Sequence, residues 1–264
     1  MKYATKPPSS RLTLPIMLTV SSLAKLFYRY GTRSLRVRGA DKLNAALSSD
    51  RGVLTITNHR AVGEDPLWPA ILPLSTLVKP KWRRWTLGAS DVIFTNALFR
   101  TFFQAGQVLE TYRGSGVDQS AVSHAAQLLD EAKWVSMFPE GRINVPPPNF
   151  NPHITPSPLR PFRWGVGRVL TLTEHTPTIL PIHLTGFNDV FVDGRPYTAI
   201  PSFNADITVD VGDPIQYTVD PHLNSLRNGQ GDEIETRKQI TDILRQELDT
   251  FGKVCDIRNY DMSR

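Results

Sequence analysis

The chain has 264 residues, of which 40% are apolar, and its formal net charge is +5. This composition suits one large globular domain or two small ones, and it excludes a wholly disordered chain. A single cysteine, Cys255, excludes an internal disulfide framework and any site built from several cysteines. No motif surrounds Cys255, which predicts an inert thiol.

The N-terminal region is basic. Eight basic residues and no acidic one lie in the first forty positions, and residues 12–24 carry no charge. This asymmetry favours an anionic membrane, because no nucleic-acid motif is present, with a merely solvated basic face as the alternative. A membrane span needs roughly 20 apolar residues. We therefore predict that residues 1–33 are a membrane-associating segment whose helix lies in the interface. A core helix and a cleaved mitochondrial targeting sequence are the alternatives.

Strand and helix patterns alternate along the rest of the chain. Strands are predicted over residues 34–38, 52–57, 83–87, 107–112, 134–138, 178–184 and 207–211. Helices are predicted over residues 41–47, 95–105, 118–133 and 164–175, with Asp118 as an N-cap, and from Asp232 onward. The pattern predicts one α/β domain over residues 34–264, with a mixed, mostly parallel sheet flanked by helices. Residues 146–161 hold seven of the 21 prolines and predict an irregular loop.

The residues after the predicted strand 52–57 carry the first candidate chemistry. Asn58 and His59 are followed by Glu64 and Asp65, directly before Pro66. An imidazole can take a proton from a hydroxyl, and a carboxylate can fix its tautomer and stabilise the imidazolium. We predict His59 as a general base, oriented by Glu64 or Asp65. The alternative is an ordinary helix start, because Asp65 and Pro66 also make a good N-cap and N1 pair.

Three further strand ends carry candidate residues. Arg113 precedes a glycine-rich turn and suits a phosphate. Glu140, Gly141 and Arg142 form a turn in which Glu140 could hold a glycerol hydroxyl or the His59 region, while Arg142 could meet a phosphate. Surface turns are the alternative for both stretches. Pro181 predicts an edge strand or a bulge, which could form a wall of an acyl pocket.

Residues 79–85 mix four cations with two indoles, a combination that favours the headgroup level of a membrane. We predict membrane contacts for Lys81, Trp82, Arg84 and Trp85, with an ordinary half-buried strand as the alternative. The remaining histidines have no partners at metal-ligand spacing, so we predict no metal site among them. They are His124, His153, His175, His183 and His222.

In order and spacing, these blocks resemble those of the glycerolipid acyltransferase superfamily. Its members carry an N-H-x-x-x-x-D block, a Gly-to-Arg strand, an x-P-E-G block and a proline-containing strand. The resemblance extends over about residues 50–215, which is most of the chain. The stretches Trp164-Gly165-x-x-Arg168 and Gly186-Phe187-Asn188-Asp189 favour the branch of phospholipid transacylases over relatives that use acyl-CoA.

The resemblance implies a glycerol-3-phosphate acyltransferase-like fold and a mitochondrial membrane protein of the inner or outer membrane, facing the intermembrane space. It implies transfer of acyl chains between phospholipid and lysophospholipid, such as phosphatidylcholine and cardiolipin, without acyl-CoA, metal or other cofactor. The implied substrate-binding residues are Asn58, Arg113, Glu140, Gly141 and Arg142. An acyl-CoA-dependent acyltransferase is one alternative. The other is a catalytically silent lipid-binding relative, because the transacylases that this chain resembles usually carry aspartate where it has Glu64.

Overall fold

The computed structural model describes residues 11–147, 150–151, 153–155, 159–190 and 203–262. In these ranges seven strands form one sheet in the order β1-β7-β6-β2-β5-β3-β4. All neighbouring strands are parallel except β6 and β7, which are antiparallel. The strands are β1 Thr32–Arg38, β2 Val53–Thr57, β3 Trp85–Ala89, β4 Val108–Thr111, β5 Trp134–Met137, β6 Thr178–Thr185 and β7 Ala205–Val211. The predicted mixed, mostly parallel α/β domain is confirmed.

Helices cover both faces of the sheet, because successive side chains of a strand point to opposite faces. In β2, Leu54 and Ile56 join one buried apolar cluster and Val53 joins the other. The helices are α1 Thr13–Tyr30, α2 Ala40–Ser48, α3 Glu64–Leu67, α4 Ser90–Ile93, α5 Ala97–Ala105, α6 Ser120–Asp130, α7 Gly165–Leu172, α8 Phe187–Val190, α9 Asp220–Arg227 and α10 Glu233–Met262. Short 3-10 helices cover Trp68–Ile71, Leu74–Val78, Pro80–Trp82 and Gln216–Thr218.

The cap predicted for α10 is present, whereas the cap predicted for α6 is not. The side chain of Asp232 accepts a hydrogen bond from the backbone N–H of Glu235 at 2.9 Å, so α10 begins where its sequence predicts. Asp118 does not cap α6, which begins two residues later, at Ser120. The carboxylate of Asp118 pairs instead with Arg168 of α7 at 3.0 Å. A long-range ion pair has replaced the predicted local cap.

The prediction that Pro181 marks an edge strand or a bulge is wrong, because β6 pairs with β2 through Pro181 without a shift in register. Strand β6 lies inside the sheet, between β7 and β2. Pro181 lies one residue beyond the last pair of the β6–β7 ladder, Ile182 with Val211. Its carbonyl still accepts a hydrogen bond from the N–H of Gly212 at 2.9 Å, so the missing N–H costs only the reciprocal bond at the end of the ladder.

Helix α1 packs on β1 and α3, and the predicted division after residue 33 falls inside β1. Among the described residues, none of the helices combines the length and hydropathy needed to cross a membrane. Because β2, β5 and β6 are parallel, their carboxyl ends meet at one edge of the sheet. His59 follows β2 at this edge, which we call the His59 edge. Strand β1 begins at the same edge, because it runs antiparallel to β6.

Candidate active site

His59 is held by contacts to its backbone and to its ring. Its N–H donates to Oε1 of Glu140 at 2.9 Å, and its carbonyl accepts from the N–H of Asn144 at 2.7 Å. The imidazole lies against the ring of Phe138, with the ring centroids 4.7 Å apart. The side chain remains 22% exposed, so the imidazole is fixed in place and still reachable from outside.

Glu64, the first residue of α3, orients this imidazole. Its Oε2 lies 2.9 Å from Nδ1 of His59, and its Oε1 accepts from the N–H of Arg60 at 2.7 Å. Complete burial raises the pKa of Glu64 above its ordinary value, although hydrogen bonds from His59 and from the amides of Arg60 and Ala61 act in the opposite direction. An ionised Glu64 accepts a hydrogen bond from Nδ1–H of His59 and leaves the Nε2 lone pair available as a base.

Asp65 turns away from His59 and pairs with Arg84. Its Oδ2 lies 2.5 Å from Nη2 of Arg84, whose Nη1 also donates to the carbonyl of Gly106 at 3.2 Å. Burial raises the pKa of Asp65, and the charge of Arg84 partly offsets this. Of the two acids that follow His59, the structure therefore brings Glu64, and not Asp65, to the imidazole.

Two predicted substrate-binding residues have internal partners instead. The side-chain amide of Asn58 donates to the carbonyl of Leu184 at 2.9 Å and accepts from its N–H at 2.7 Å, which joins the end of β2 to β6. Glu140 is 1% exposed and accepts from His59, from Nδ2 of Asn144 at 2.6 Å and from the N–H of Arg160 at 3.0 Å. The polar atoms of both residues are committed to positioning the site, and substrate contact by Asn58 or Glu140 stays a prediction.

The predicted membrane contacts of Arg84 and Trp85 are wrong, because both side chains are buried. Trp85 lies in the buried apolar core, and Arg84 is buried against Asp65. Both residues sit at the start of β3, where the sheet is covered on both faces. Lys81 and Trp82 are only partly buried, and the ammonium of Lys81 donates to the carbonyl of Ser49. Membrane contact at these two positions stays a prediction.

The two predicted phosphate-binding arginines, Arg113 and Arg142, lie in different parts of the fold. Arg113 pairs with Asp91 at 3.2 Å beyond the end of β4, which is three strand spacings, or roughly 14 Å, from β2. Arg142 is exposed on the turn that contains Gly141, a residue with φ +69°. A Cβ at Gly141 would lie 2.9 Å from Cγ of Arg163, so this turn requires glycine both for its backbone and for the arginine that covers it.

Arg160 and Arg163 join Arg142 beside the Glu140 turn. The N–H of Arg160 donates to Glu140, and the N–H of Arg163 donates to the carbonyl of Pro139 at 2.7 Å. All three arginines are exposed. The sequence indicated only the first of them, because the other two follow a proline-rich stretch that carries no motif. They lie beside the Glu140 turn only because the segment that carries them folds back onto it.

A buried polar network supports the residue after His59. Arg60 donates to the carbonyl of Asn144 at 3.1 Å, and its guanidinium lies 4.0 Å from the carboxylate of Asp256 on α10. The other oxygen of Asp256 lies 2.7 Å from Nε2 of His183 on β6. The C-terminal helix is thereby connected to the loop that carries His59.

The fold and the site together define an acyltransferase. A family model described as Acyltransferase matches residues 34–185, so the chain belongs to the acyltransferase family. A solved structure of the 1-acyl-sn-glycerophosphate acyltransferase PlsC from Thermotoga maritima has the same fold. It is similar with a TM-score of 0.51 and 15% identity, over 90% of this chain and 79% of that one.

Sequence relatives narrow this to the tafazzins of the glycerolipid acyltransferase superfamily. A protein named "Taffazin" from Dictyostelium discoideum is 30% identical over 96% of this chain and 90% of its own length. A protein named N-acylphosphatidylethanolamine synthase from Arabidopsis thaliana is 32% identical over 77% of this chain and 70% of its own length. The predicted acyltransferase identity is confirmed.

Proposed function

We propose that the protein moves an acyl chain from a phospholipid to a lysophospholipid, with His59 as the general base. Nε2 of His59 takes the proton of the acceptor hydroxyl, and the oxygen attacks the ester carbonyl of the donor lipid. The tetrahedral intermediate expels the donor's glycerol oxygen, which receives the proton from Nε2. The Nδ1–H of His59 stays hydrogen-bonded to the carboxylate of Glu64, which stabilises the imidazolium between the two steps.

The contact between His59 and Glu64 carries this proposal. It supplies an oriented imidazole, and in the described part of the chain Nε2 of His59 has no hydrogen-bond partner. This arrangement favours a working acyltransferase over a silent lipid-binding relative. Glu64 reaches the imidazole, although the transacylases that the sequence resembles usually have aspartate at this position. No serine or cysteine occupies a nucleophile motif, which favours direct attack by the acceptor hydroxyl over an acyl-enzyme.

The exposed arginines beside the Glu140 turn support lipid phosphate as the headgroup ligand. Within the described ranges, neither Arg142, Arg160 nor Arg163 pairs with a carboxylate. The nearby Glu140 is buried and already bonded. Three guanidinium groups that pair with no carboxylate of the described residues form a suitable phosphate site next to the base. Combined replacement of these three arginines by glutamine should raise the KM for the lysolipid more than it lowers kcat. The exposed Arg51, at the far end of β2, is the matched control.

Membrane association is part of the same proposal. Helix α1 exposes Leu23 and Leu26 while it buries Met17, Ala24 and Tyr28 against the domain. It therefore packs on the domain and still presents apolar side chains outward, as an interfacial helix does. The mitochondrial location rests on the resemblance to transacylases, and fractionation of cells that express the tagged chain tests it.

A donor-competition assay tests the proposed transfer. Purified protein receives vesicles of acyl-labelled phosphatidylcholine with monolysocardiolipin as the acceptor, and in parallel labelled acyl-CoA with the same acceptor. We expect transfer from phosphatidylcholine and none from acyl-CoA. His59→Ala should abolish transfer, whereas the exposed His175→Ala should retain it. Activity confined to acyl-CoA would replace this proposal with an acyl-CoA-dependent one.

Acylation of an amine is a second candidate, favoured by the similarity to the Arabidopsis N-acylphosphatidylethanolamine synthase. The same base could deprotonate the headgroup amine of phosphatidylethanolamine, which then attacks the donor ester. Adding phosphatidylethanolamine as the competing acceptor separates the two reactions. Formation of the N-acyl product in place of labelled cardiolipin would establish the second candidate.

A further inference from the structure

Helix α5 exposes the large apolar side chains that its sequence places on one face. Leu98 is 75% exposed, Phe99 47% and Phe102 40%, while Ala105 is buried. A surface helix of a soluble domain normally turns such a face toward the core. Here the face points outward, which marks an interaction surface.

This face is a fixed aromatic surface. The ring of Phe103 lies 6.3 Å from that of Phe99 and 5.3 Å from that of Phe102, between centroids. On its other side, Phe103 lies 6.0 Å from the buried Phe94. The side chain of Asn96 caps the helix by accepting from the N–H of Phe99 at 2.9 Å. The outward-facing rings are thus held in place before any partner binds.

An exposed apolar stripe on α1 continues this surface. Leu12, directly before α1, and Leu23, Leu26 and Tyr30 of the helix are 51%, 61%, 53% and 73% exposed, respectively. Their separations of 11, 3 and 4 residues are close to three turns, one turn and one turn of an α-helix. These side chains therefore share one side of the helix. Helices α1 and α5 are in contact. Together they form a two-helix apolar surface.

This surface lies beside the His59 edge. Helix α5 follows β3, whose carboxyl end lies at that edge because β3, β5 and β2 are parallel. Helix α1 leads into the start of β1, which lies at the same edge. Helix α1 also contacts α3, the helix that begins with Glu64.

The charges of the surface match an anionic lipid layer. Neither helix contains aspartate or glutamate. Arg11 directly precedes Leu12, and the guanidinium of Arg29 lies 5.5 Å from the centroid of the Tyr30 ring, whereas Arg100 of α5 pairs with Glu110 of β4. The surface therefore combines apolar side chains with cations and no acid, which is the composition that binds anionic membranes.

We propose that Leu98, Phe99 and Phe102 make α5 a second membrane-contact helix, which with α1 seats the His59 edge on an anionic lipid leaflet. The proposal rests on the proposed function in taking membrane lipids as the substrates. With nine residues, α5 is about 14 Å long and would lie among the headgroups, with its rings toward the acyl chains. Lipid could then reach His59 without passing through bulk water.

Vesicle binding by the full chain tests the proposal. The combined variant Leu98→Ser, Phe99→Ser, Phe102→Ser should partition at least about tenfold more weakly onto vesicles of phosphatidylcholine and cardiolipin. The matched control is Tyr217→Ser with Ile234→Ser. These residues are equally exposed but lie toward the start of β6, at the opposite edge of the sheet. The control should bind as the parent does. Unchanged binding by the triple variant would overturn the proposal.

A single substitution keeps the test valid should the triple variant unfold. Relative to the parent with its five tryptophans, Phe99→Trp should gain a blue-shifted emission that brominated lipids quench, whereas an added emission that vesicles do not change would overturn the proposal. Loss of self-association in the triple variant with intact vesicle binding would assign the surface to a second copy, which also overturns it. Vesicle binding does not require turnover. A parent that binds through α5 and transfers no acyl chain would refute the proposed function alone.

Discussion

A carboxylate oxygen of Glu140 lies 2.9 Å from the backbone nitrogen of His59, although 81 residues separate the two in the sequence. The other oxygen accepts from Asn144 and from the backbone of Arg160. One buried side chain therefore joins the end of β2, the turn after β5 and the segment that leads to α7. Glu140 is a positioning residue for His59.

We expect Glu140→Gln to lower kcat at least about tenfold and to leave the KM for the lysolipid nearly unchanged. An amide nitrogen would face the donors that now bond the carboxylate, so the free energy of unfolding should fall by about 1–3 kcal/mol. Steady-state kinetics and urea unfolding measure both effects, with the exposed Glu131→Gln as the control. A raised KM with unchanged kcat would mean that Glu140 contacts substrate directly.

Glu64→Gln should lower kcat by about 10³–10⁴-fold without loss of stability. The glutamine oxygen can still accept from the amide of Arg60, but its nitrogen would donate to Nδ1 of His59. That places the imidazole proton on Nε2, so the base is lost. The raised pKa of Glu64 means that its ionisation opposes folding above the unfolded-state pKa. A neutral glutamine should therefore match or exceed the parent in urea unfolding at neutral pH.

Asp65→Asn separates the two acids. It leaves the contact between His59 and Glu64 intact and weakens the pair with Arg84, so kcat should change by only a few-fold. The free energy of unfolding should fall by about 1–3 kcal/mol, because the buried guanidinium loses its ionised partner. A loss of kcat as large as that of Glu64→Gln would contradict the assignment of Glu64 as the orienting acid.

On acidification, activity should decline at a higher pH than the pH at which an ordinary glutamate takes up a proton. Burial raises the pKa of Glu64, so it takes up a proton above the usual value of about 4.3. A protonated Glu64 would donate to Nδ1 and drive the imidazole proton onto Nε2, which removes the base. A profile of kcat/KM against pH measures the acid limb, with circular dichroism to exclude unfolding. Full activity down to about pH 4.3 would contradict this mechanism.

Asp256→Ala should cost about 3–5 kcal/mol of unfolding free energy, because it leaves the buried Arg60 and His183 without their shared carboxylate. Asp261→Ala, on the exposed end of the same helix, is the control and should cost less than about 1 kcal/mol. Urea unfolding of both variants measures these changes in the free energy of unfolding. Equal effects would show that the network contributes nothing beyond a surface pair.

Much of the fold follows from local patterns. The strand around Leu54 and Ile56 and the helix that begins after Asp232 were predictable, because apolar periodicity and capping act between near neighbours. The Pro181 prediction failed because the register of a sheet decides whether a missing N–H matters. The Asp118 prediction failed because an ion pair with Arg168, fifty residues away, outcompeted the local cap.

The candidate site likewise has features that follow from the local sequence and features that only tertiary packing decides. The sequence by itself identified the candidate base and its two candidate acids, because His59, Glu64 and Asp65 lie within one loop and one helical turn. Tertiary structure alone decided that Glu64 reaches the imidazole while Arg84 holds Asp65. It also decided that Asn58 and Glu140 bond inward, and that Arg160 and Arg163 return to the Glu140 turn. These outcomes depend on which polar groups meet when distant segments pack, and spacing along the chain does not encode that.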